Sequence, residues 1–396
     1  MLIVNEKELF MNIDQEIKAF EAYATMHRRA LHKIPELGFN EHKTNAYIKN
    51  TLDDLNIPYK ESAKTGVIGF INKNKEKTIA FRSDMDALNI HEQNEISFKS
   101  TIKENMHACG HDGHMSMLLT FAKYLKAHEE NLHVNVVLIF QPAEEGPGGA
   151  EILIKEGLIE TYCISEIYGT HLYPSIDEGK IGLRKGAMMA SVGEFKITIY
   201  GKSSHGAMPH LGIDTIAIAA QFISQIQRII SREIHPTTSG VVSIGKIDGG
   251  TRTNIIAEKV EMFGTIRAFD SQTNTFIQKR IIDILSGLKI SYAIEFDTDF
   301  NDMYPVVYND PEMVDDFIKA NGEENILEIP LQMISEDFSY YQKEIPGLFV
   351  FLGVRNESKG FVNGLHNSKF NFDEKNLLYG VQSYINIMRY RKYLED

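Results

Sequence analysis

The stretch Val134-Asn135-Val136-Val137-Leu138-Ile139-Phe140, followed at once by Gln141-Pro142-Ala143-Glu144-Glu145-Gly146, decides how this chain is read. A short apolar run rich in β-branched residues is a strand. Pro142 and Gly146 keep the following residues out of helix, so the adjacent side chains of Glu144 and Glu145 can diverge. Two acids side by side repel and one pKa rises, unless a divalent cation offsets the repulsion. In open α/β sheets ligands gather at the carboxyl ends of strands, and this pair sits at such an end. One carboxylate is then free to bind a metal while its neighbour faces the bound water. A solvated loop is the plain alternative, which the position disfavours.

Working outward, residues 6–32 read as a helix with apolar positions at Ile13, Ile17, Phe20, Ala24 and Leu31, ended by Pro35 and Gly38. A second helix is expected over 41–56. Val67–Ile71 and Thr78–Arg82 read as buried strands and Ser116–His128 as a helix. Strands alternating with helices imply an α/β layer with a mixed sheet. From Val192 the rhythm changes to strand, helix, strand, strand, helix, strand: Glu194–Tyr200, Thr215–Ser231, Gly240–Ile247, Lys259–Phe269, Gln272–Leu288 and Tyr292–Asp297. That order is the split ferredoxin-like unit. Gly179, Gly182 and Gly186 mark its entry, and Asn301, Asp302 and Pro305 its exit. Beyond Pro305 come a helix, the strand Leu348–Gly353 and a terminal helix, Asp373–Tyr390. The expected layout is an α/β domain over 1–185 and 301–396, with a small α+β domain over 186–300 inserted in it.

At 396 residues, two domains are the prior. The hydrophobic share of 43% and charged share of 24% are those of an ordinary globular protein. A net charge of -13 argues against nucleic acid or an anionic membrane as partner. Two cysteines, Cys109 and Cys163, are too few for a disulfide framework, and a reducing compartment fits. Glu6, Lys7, Glu8 and Asp14 interrupt the apolar opening of the chain, and no run is long enough to span a bilayer. A cytoplasmic protein is expected.

The second decisive run is Met106-His107-Ala108-Cys109-Gly110-His111-Asp112-Gly113-His114, one thiol and three imidazoles in nine positions. Thiolate, neutral imidazole and carboxylate are what a divalent metal takes as ligands. Gly110 allows a sharp bend from which Cys109 and His111 reach one centre. Any single histidine is ordinarily structural, but four such groups around a glycine turn are not. Asp84 and Asp86, ending another strand, are expected to share a face if that strand continues. One of them can accept the second ring nitrogen of a metal-bound histidine. His171 and His366 follow in strand-end or loop contexts and complete a five-ligand set.

Pro35-Glu36-Leu37-Gly38, the Asp84 motif, the Cys109–His114 run, Pro142–Gly146, Ser335-Glu336-Asp337-Phe338 and Leu365-His366-Asn367 occur in an order that resembles one family. It is the metal-dependent amidohydrolases that include hippurate hydrolase, N-acetyldiaminopimelate deacetylase and auxin-conjugate hydrolase, within the aminoacylase and carboxypeptidase group of dinuclear metallopeptidases. The resemblance spans Met26 to the terminal helix. It implies a mixed-sheet, zinc-peptidase-like catalytic domain with an inserted ferredoxin-like lid and dimerisation domain. It further implies two divalent ions, zinc or manganese, on Cys109, His111, Glu145, His171 and His366, with Cys109 as the bridge.

Glu144 is implied as the general base, Asp84 as a second catalytic group, and His205, Asn254 and Arg267 as substrate-binding groups. His205, in Gly201-Lys202-Ser203-Ser204-His205-Gly206, would polarise the scissile carbonyl, and an Arg suits a substrate carboxylate. Much of the wider group has His-x-Asp where this chain has Arg82-Ser83-Asp84. Arg82 cannot bind a cation, and the resemblance passes that duty to His111. The implied reaction is hydrolysis of the amide bond of an N-acyl amino acid or small peptide by an activated water, in a homodimer or higher homo-oligomer joined through the lid domain. Two rival readings are a cysteine amidase with Cys109 as nucleophile, which would survive chelation, and a metal-holding scaffold protein without activity.

Overall fold

The computed structural model describes residues 11–395. The chain divides into two compact units. One takes in the chain through Gly186, Tyr308–Pro330 and the chain from Tyr340 onward; the other is Ala187–Val307 with Leu331–Ser339.

The first unit is built on an eight-stranded sheet among the described residues. Its order is Tyr59–Ser62, Gly66–Ile71, Asn135–Gln141, Thr78–Asp84, Ile164–Asp177, Gly347–Arg355, Ile181–Leu183 and Ile326–Glu328. The three strands Asn135–Gln141, Thr78–Asp84 and Ile164–Asp177 run parallel, as does Gly347–Arg355 beside the last of them. Antiparallel pairs flank this centre, so the sheet is mixed as expected. Every residue of Thr78–Asp84 and of Asn135–Gln141 is buried. The unbroken apolar run over residues 136–140 reflects burial on both faces. Met115, Leu118, Phe121 and Leu125 from the His111–Ala127 helix, and Val381, Ile385 and Met388 from the Asn376–Tyr390 helix, join Phe81 and Leu138 in one core.

Local differences from the sequence reading have physical causes. The expected 6–32 helix is two helices, Gln15–Lys18 and Glu21–His32, and its part before residue 11 lies outside the described residues. Ser116–His128 is a longer helix that starts at His111, because Gly110 takes the left-handed conformation (φ 89°) and turns the chain directly into it. His171, expected near a strand end, stands inside the Ile164–Asp177 strand, in register with Phe351. The strand before Asp86 stops at Asp84, so the two acids do not share a strand face.

The second unit follows the βαββαβ order. Its antiparallel sheet runs Gly240–Gly249, Lys259–Ala268, Ser191–Tyr200, Glu295–Tyr304, that is, second, third, first and fourth strand. The Thr215–Arg228 and Ser271–Tyr292 helices cover it through Phe222, Ile226, Ile277, Ile281 and Leu285, which meet Phe195, Ile197 and Met262. The last strand runs on to Tyr304, past the expected exit at Asn301, because its alternating pattern pairs with the Ser191–Tyr200 strand down to Val192. No helix among the described residues is long and apolar enough to cross a membrane.

Candidate metal centre

The parallel strands and the helix after Gly110 bring their ends to one place in the first unit. Cys109, His111 and Glu145 offer ligand atoms within 4.8 Å of one another, and so do Asp84, His111, His114 and His171. Cys109 Sγ is 3.4 Å from His171 Nε2. His366 Nε2 is 3.1 Å from Glu145 Oε1. His111 Nε2 lies 3.6 Å from Asp84 Oδ2 and 4.0 Å from Glu145 Oε1. All five residues expected as ligands therefore meet in one cluster. His366 enters from a loop in the left-handed region (φ 58°), its N–H held by the carbonyl of Ala108 at 2.9 Å.

Of the three imidazoles in the 106–114 run, the structure turns only one nitrogen freely into the cluster. His114 Nδ1–H donates to Asp84 Oδ1 at 2.6 Å, and its Nε2 accepts the Leu172 N–H at 2.9 Å, so both ring atoms are engaged. His107 has no hydrogen-bond partner for its ring nitrogens, but it stands outside the cluster, buried against His32 with ring centroids 6.5 Å apart, and burial pushes it down to about 3. His111 differs. Its Nδ1–H donates to the carbonyl of Asp86 at 2.9 Å, while the buried Nε2 has no hydrogen-bond partner. A backbone carbonyl thus does the orienting expected of a carboxylate.

The electrostatics are those of a place made for positive charge. Burial opposes protonation of His111, yet the carboxylates of Asp84, Asp86 and Glu145 outweigh it and lift the imidazole to about 10. Burial, then Glu145, Glu144 and Asp84, push the Cys109 thiol well above its ordinary range. Without a cation beside it this sulfur is a poor thiolate, which speaks against Cys109 as a lone nucleophile. Burial and then His114 keep His171 neutral, its Nδ1–H on the carbonyl of Leu172 at 2.7 Å and its Nε2 toward the sulfur. The orphaned His111 nitrogen, the neutral His171 lone pair, a thiol and a carboxylate form a donor set that fits divalent metal ions.

Asp84 is fully engaged: its two oxygens take His114 Nδ1–H and Arg82 Nη1–H, the latter at 2.9 Å. Despite its burial, His111, His114 and Arg82 hold its carboxyl well below the usual range. Arg82, whose Nε–H also donates to Gln141 Oε1 at 2.9 Å, supplies a fixed buried charge where a ligand histidine was not available.

Asp86, expected with Asp84 as a candidate partner of a ligand histidine's second ring nitrogen, takes that nitrogen of His111 on its carbonyl, and its Oδ2 also accepts the Glu145 N–H at 3.0 Å, a contact the sequence did not suggest. Sequence reading also missed the buried chain Arg28–Asp112–His32–Glu92 behind the Cys109–His111 turn. No local pattern announces those partners, which are 60 to 84 residues apart.

His205, Asn254 and Arg267 all lie in the second unit. His205 pairs with Ile255 in a two-stranded ribbon, and the Gly206 N–H donates to the Asn254 carbonyl at 2.8 Å, so these two are neighbours. Arg267 stands on the Lys259–Ala268 strand of the larger sheet and donates to Thr265 Oγ1 and the Ile266 carbonyl.

Residues 80–390 match the peptidase family M20/M25/M40. The chain belongs to that family. Among its M20-family relatives, an N-acetyldiaminopimelate deacetylase of Exiguobacterium sibiricum is 41% identical over 89% of this chain and 95% of its own length. An IAA-amino acid hydrolase ILR1-like 4 of Arabidopsis thaliana is 38% identical over 89% of this chain and 82% of its own. Two solved structures share the fold. A putative aminohydrolase from methicillin resistant Staphylococcus aureus has a TM-score of 0.90 at 34% identity, covering 96% of this chain and 98% of that one. The Bacillus subtilis YXEP protein, described as a dinuclear metal binding peptidase from the M20 family, has a TM-score of 0.82 at 32% identity, covering 93% and 98%. Membership and geometry agree: this M20-family chain is a metal-dependent amidohydrolase.

Proposed function

We propose that this enzyme hydrolyses the amide bond of N-acyl amino acids with the help of two divalent ions, which Cys109, His111, Glu145, His171 and His366 would hold. The observation that carries the reading is the gathering of Cys109, Glu145 and His171 around the unpartnered His111 Nε2, with His366 against Glu145. Relatives acting on N-acetyldiaminopimelate and on an IAA-amino acid support the substrate class. Bound ions would supply Lewis-acid polarisation of the carbonyl and a water made nucleophilic at neutral pH.

The chain's own residues do the rest. Glu144, buried beside the ligand Glu145, takes the proton from the attacking water and returns it to the leaving nitrogen, a relay worth about 10² to 10⁴ in rate. Asp84 fixes His114, which in turn holds the Leu172 N–H next to His171. His205 polarises the scissile carbonyl, and Asn254 and Arg267 take the substrate carboxylate. Zinc suits the thiolate best, with manganese accepted by the imidazoles and carboxylate. Dimerisation through the second unit and a reducing, cytoplasmic setting complete the proposal.

The test is a panel of hippurate, N-acetyl amino acids, N-acetyldiaminopimelate and dipeptides, run on protein reconstituted with zinc or manganese. Glu144→Ala is expected to keep its metal and lose nearly all turnover. Full activity in that variant, or a metal-loaded wild type inert across the panel, would refute the reading.

A further inference from the structure

Glu41 stands at the N-terminal cap position of the His42–Asp54 helix, yet its side chain does not cap that helix. Glu36 does so instead, its Oε2 accepting the N–H groups of Lys43 at 2.8 Å and Thr44 at 3.0 Å. The Glu41 carboxylate turns inward and is fully buried. Its Oε1 accepts the N–H of Ala143 at 2.9 Å, across 102 residues of chain, and its Oε2 accepts the Thr65 hydroxyl at 2.6 Å. Burial raises its pKa, so the interior holds this acid at a cost.

What it grips is the residue before Glu144. Ala143 is a non-glycine residue in the left-handed region (φ 55°), a strained conformation that needs outside support. On the other side, the Glu145 N–H is held by Asp86. The peptide N–H groups flanking Glu144 are thus each fixed by a carboxylate from a different segment. The loop is closely backed as well: a Cβ on Gly38 would stand 2.9 Å from the Ala143 Cβ and 2.6 Å from the Gly146 carbonyl.

We propose that Glu41 is a positioning residue: by holding the Ala143 N–H it sets the direction from which the Glu144 carboxylate reaches the water it deprotonates. The inference rests on the reading of Glu144 as the base. Glu41 touches no reacting atom; it acts through the Ala143 backbone. Misplacing a catalytic group by about 1 Å can cost about 100-fold in rate.

Two substitutions separate position from charge. Glu41→Gln loses the charge but keeps an amide oxygen for Ala143 and an N–H for Thr65. Glu41→Asp keeps the charge but is one methylene too short to reach both. In the full-length, metal-loaded enzyme assayed on N-acetyl and N-benzoyl amino acids, Glu41→Gln is expected within about threefold of wild-type kcat. Glu41→Asp is expected to lose about 100-fold in kcat, with KM and metal content unchanged. Amide exchange at Ala143 gives a readout independent of turnover: slow in the Gln variant, fast in the Asp variant. Wild-type kcat or slow exchange in Glu41→Asp overturns the proposal. So does an equal loss of kcat in Glu41→Gln, which would assign the effect to charge. Glu144→Ala, run alongside, tells the two failures apart: if it alone remains active, the base assignment falls and this inference with it.

Discussion

Raising the pH should unlock the buried charge network behind the metal-binding turn, and His32 gives the size of the effect. Its Nδ1 is 2.8 Å from Asp112 Oδ2 and its Nε2 3.1 Å from Glu92 Oε1, all three groups being buried. Burial and the nearby Arg28 push the imidazole down, but the two carboxylates outweigh them and lift it from 6.5 to about 9. Between those values the folded protein holds a proton that the unfolded chain has released. Stability must therefore fall as pH rises through this window, and the contribution is complete below 6.5 and gone above about 9. A rise from 6.5 to about 9 is worth about 3 kcal/mol. The assay is urea unfolding of metal-free protein, wild type and His32→Gln, followed by circular dichroism at several pH values. The wild type's advantage over the variant should shrink by about 3 kcal/mol between about pH 6 and about pH 10. A difference that stays constant or widens with pH would refute the assignment of a charged His32 between two acids.

Other consequences follow from the packing around the same loops. Gly149→Ala would place a Cβ 1.9 Å from the Pro142 carbonyl, backbone that cannot swing away; a loss of about 1 to 3 kcal/mol by denaturation and a fall in kcat are expected. Arg82→Met leaves the buried Asp84 without its guanidinium and should cost about 3 to 5 kcal/mol, read as a lowered urea midpoint; a neutral substitution would contradict the role given to that pair.

The architecture was legible because its signals are local. Asn135–Gln141 carries its strand identity in β-branched residues, and the strand and helix order of the second unit needs only periodicity to read. Part of the candidate site was legible because Cys109, His111, Glu145 and the neighbouring Glu144 stand in short runs around glycine and proline. The rest was hidden for a physical reason: it is assembled from distant segments. Whether His111 or His114 keeps a free nitrogen depends on Asp84 and on the Leu172 backbone, neither of which the 106–114 run contains. The start of the helix at His111 depended on the φ of Gly110, which sequence suggests but does not place. Glu41 reads as the first residue of a helix, and only the fold turns its carboxylate toward Ala143.

The central claim is most directly tested by anomalous diffraction at the zinc and manganese edges from crystals of reconstituted protein, with metal content measured on the same sample. Two peaks per chain, flanking the Cys109 sulfur and within bonding distance of His111, Glu145, His171 and His366, are predicted. A fully loaded, active sample with no peak among those side chains would contradict the account.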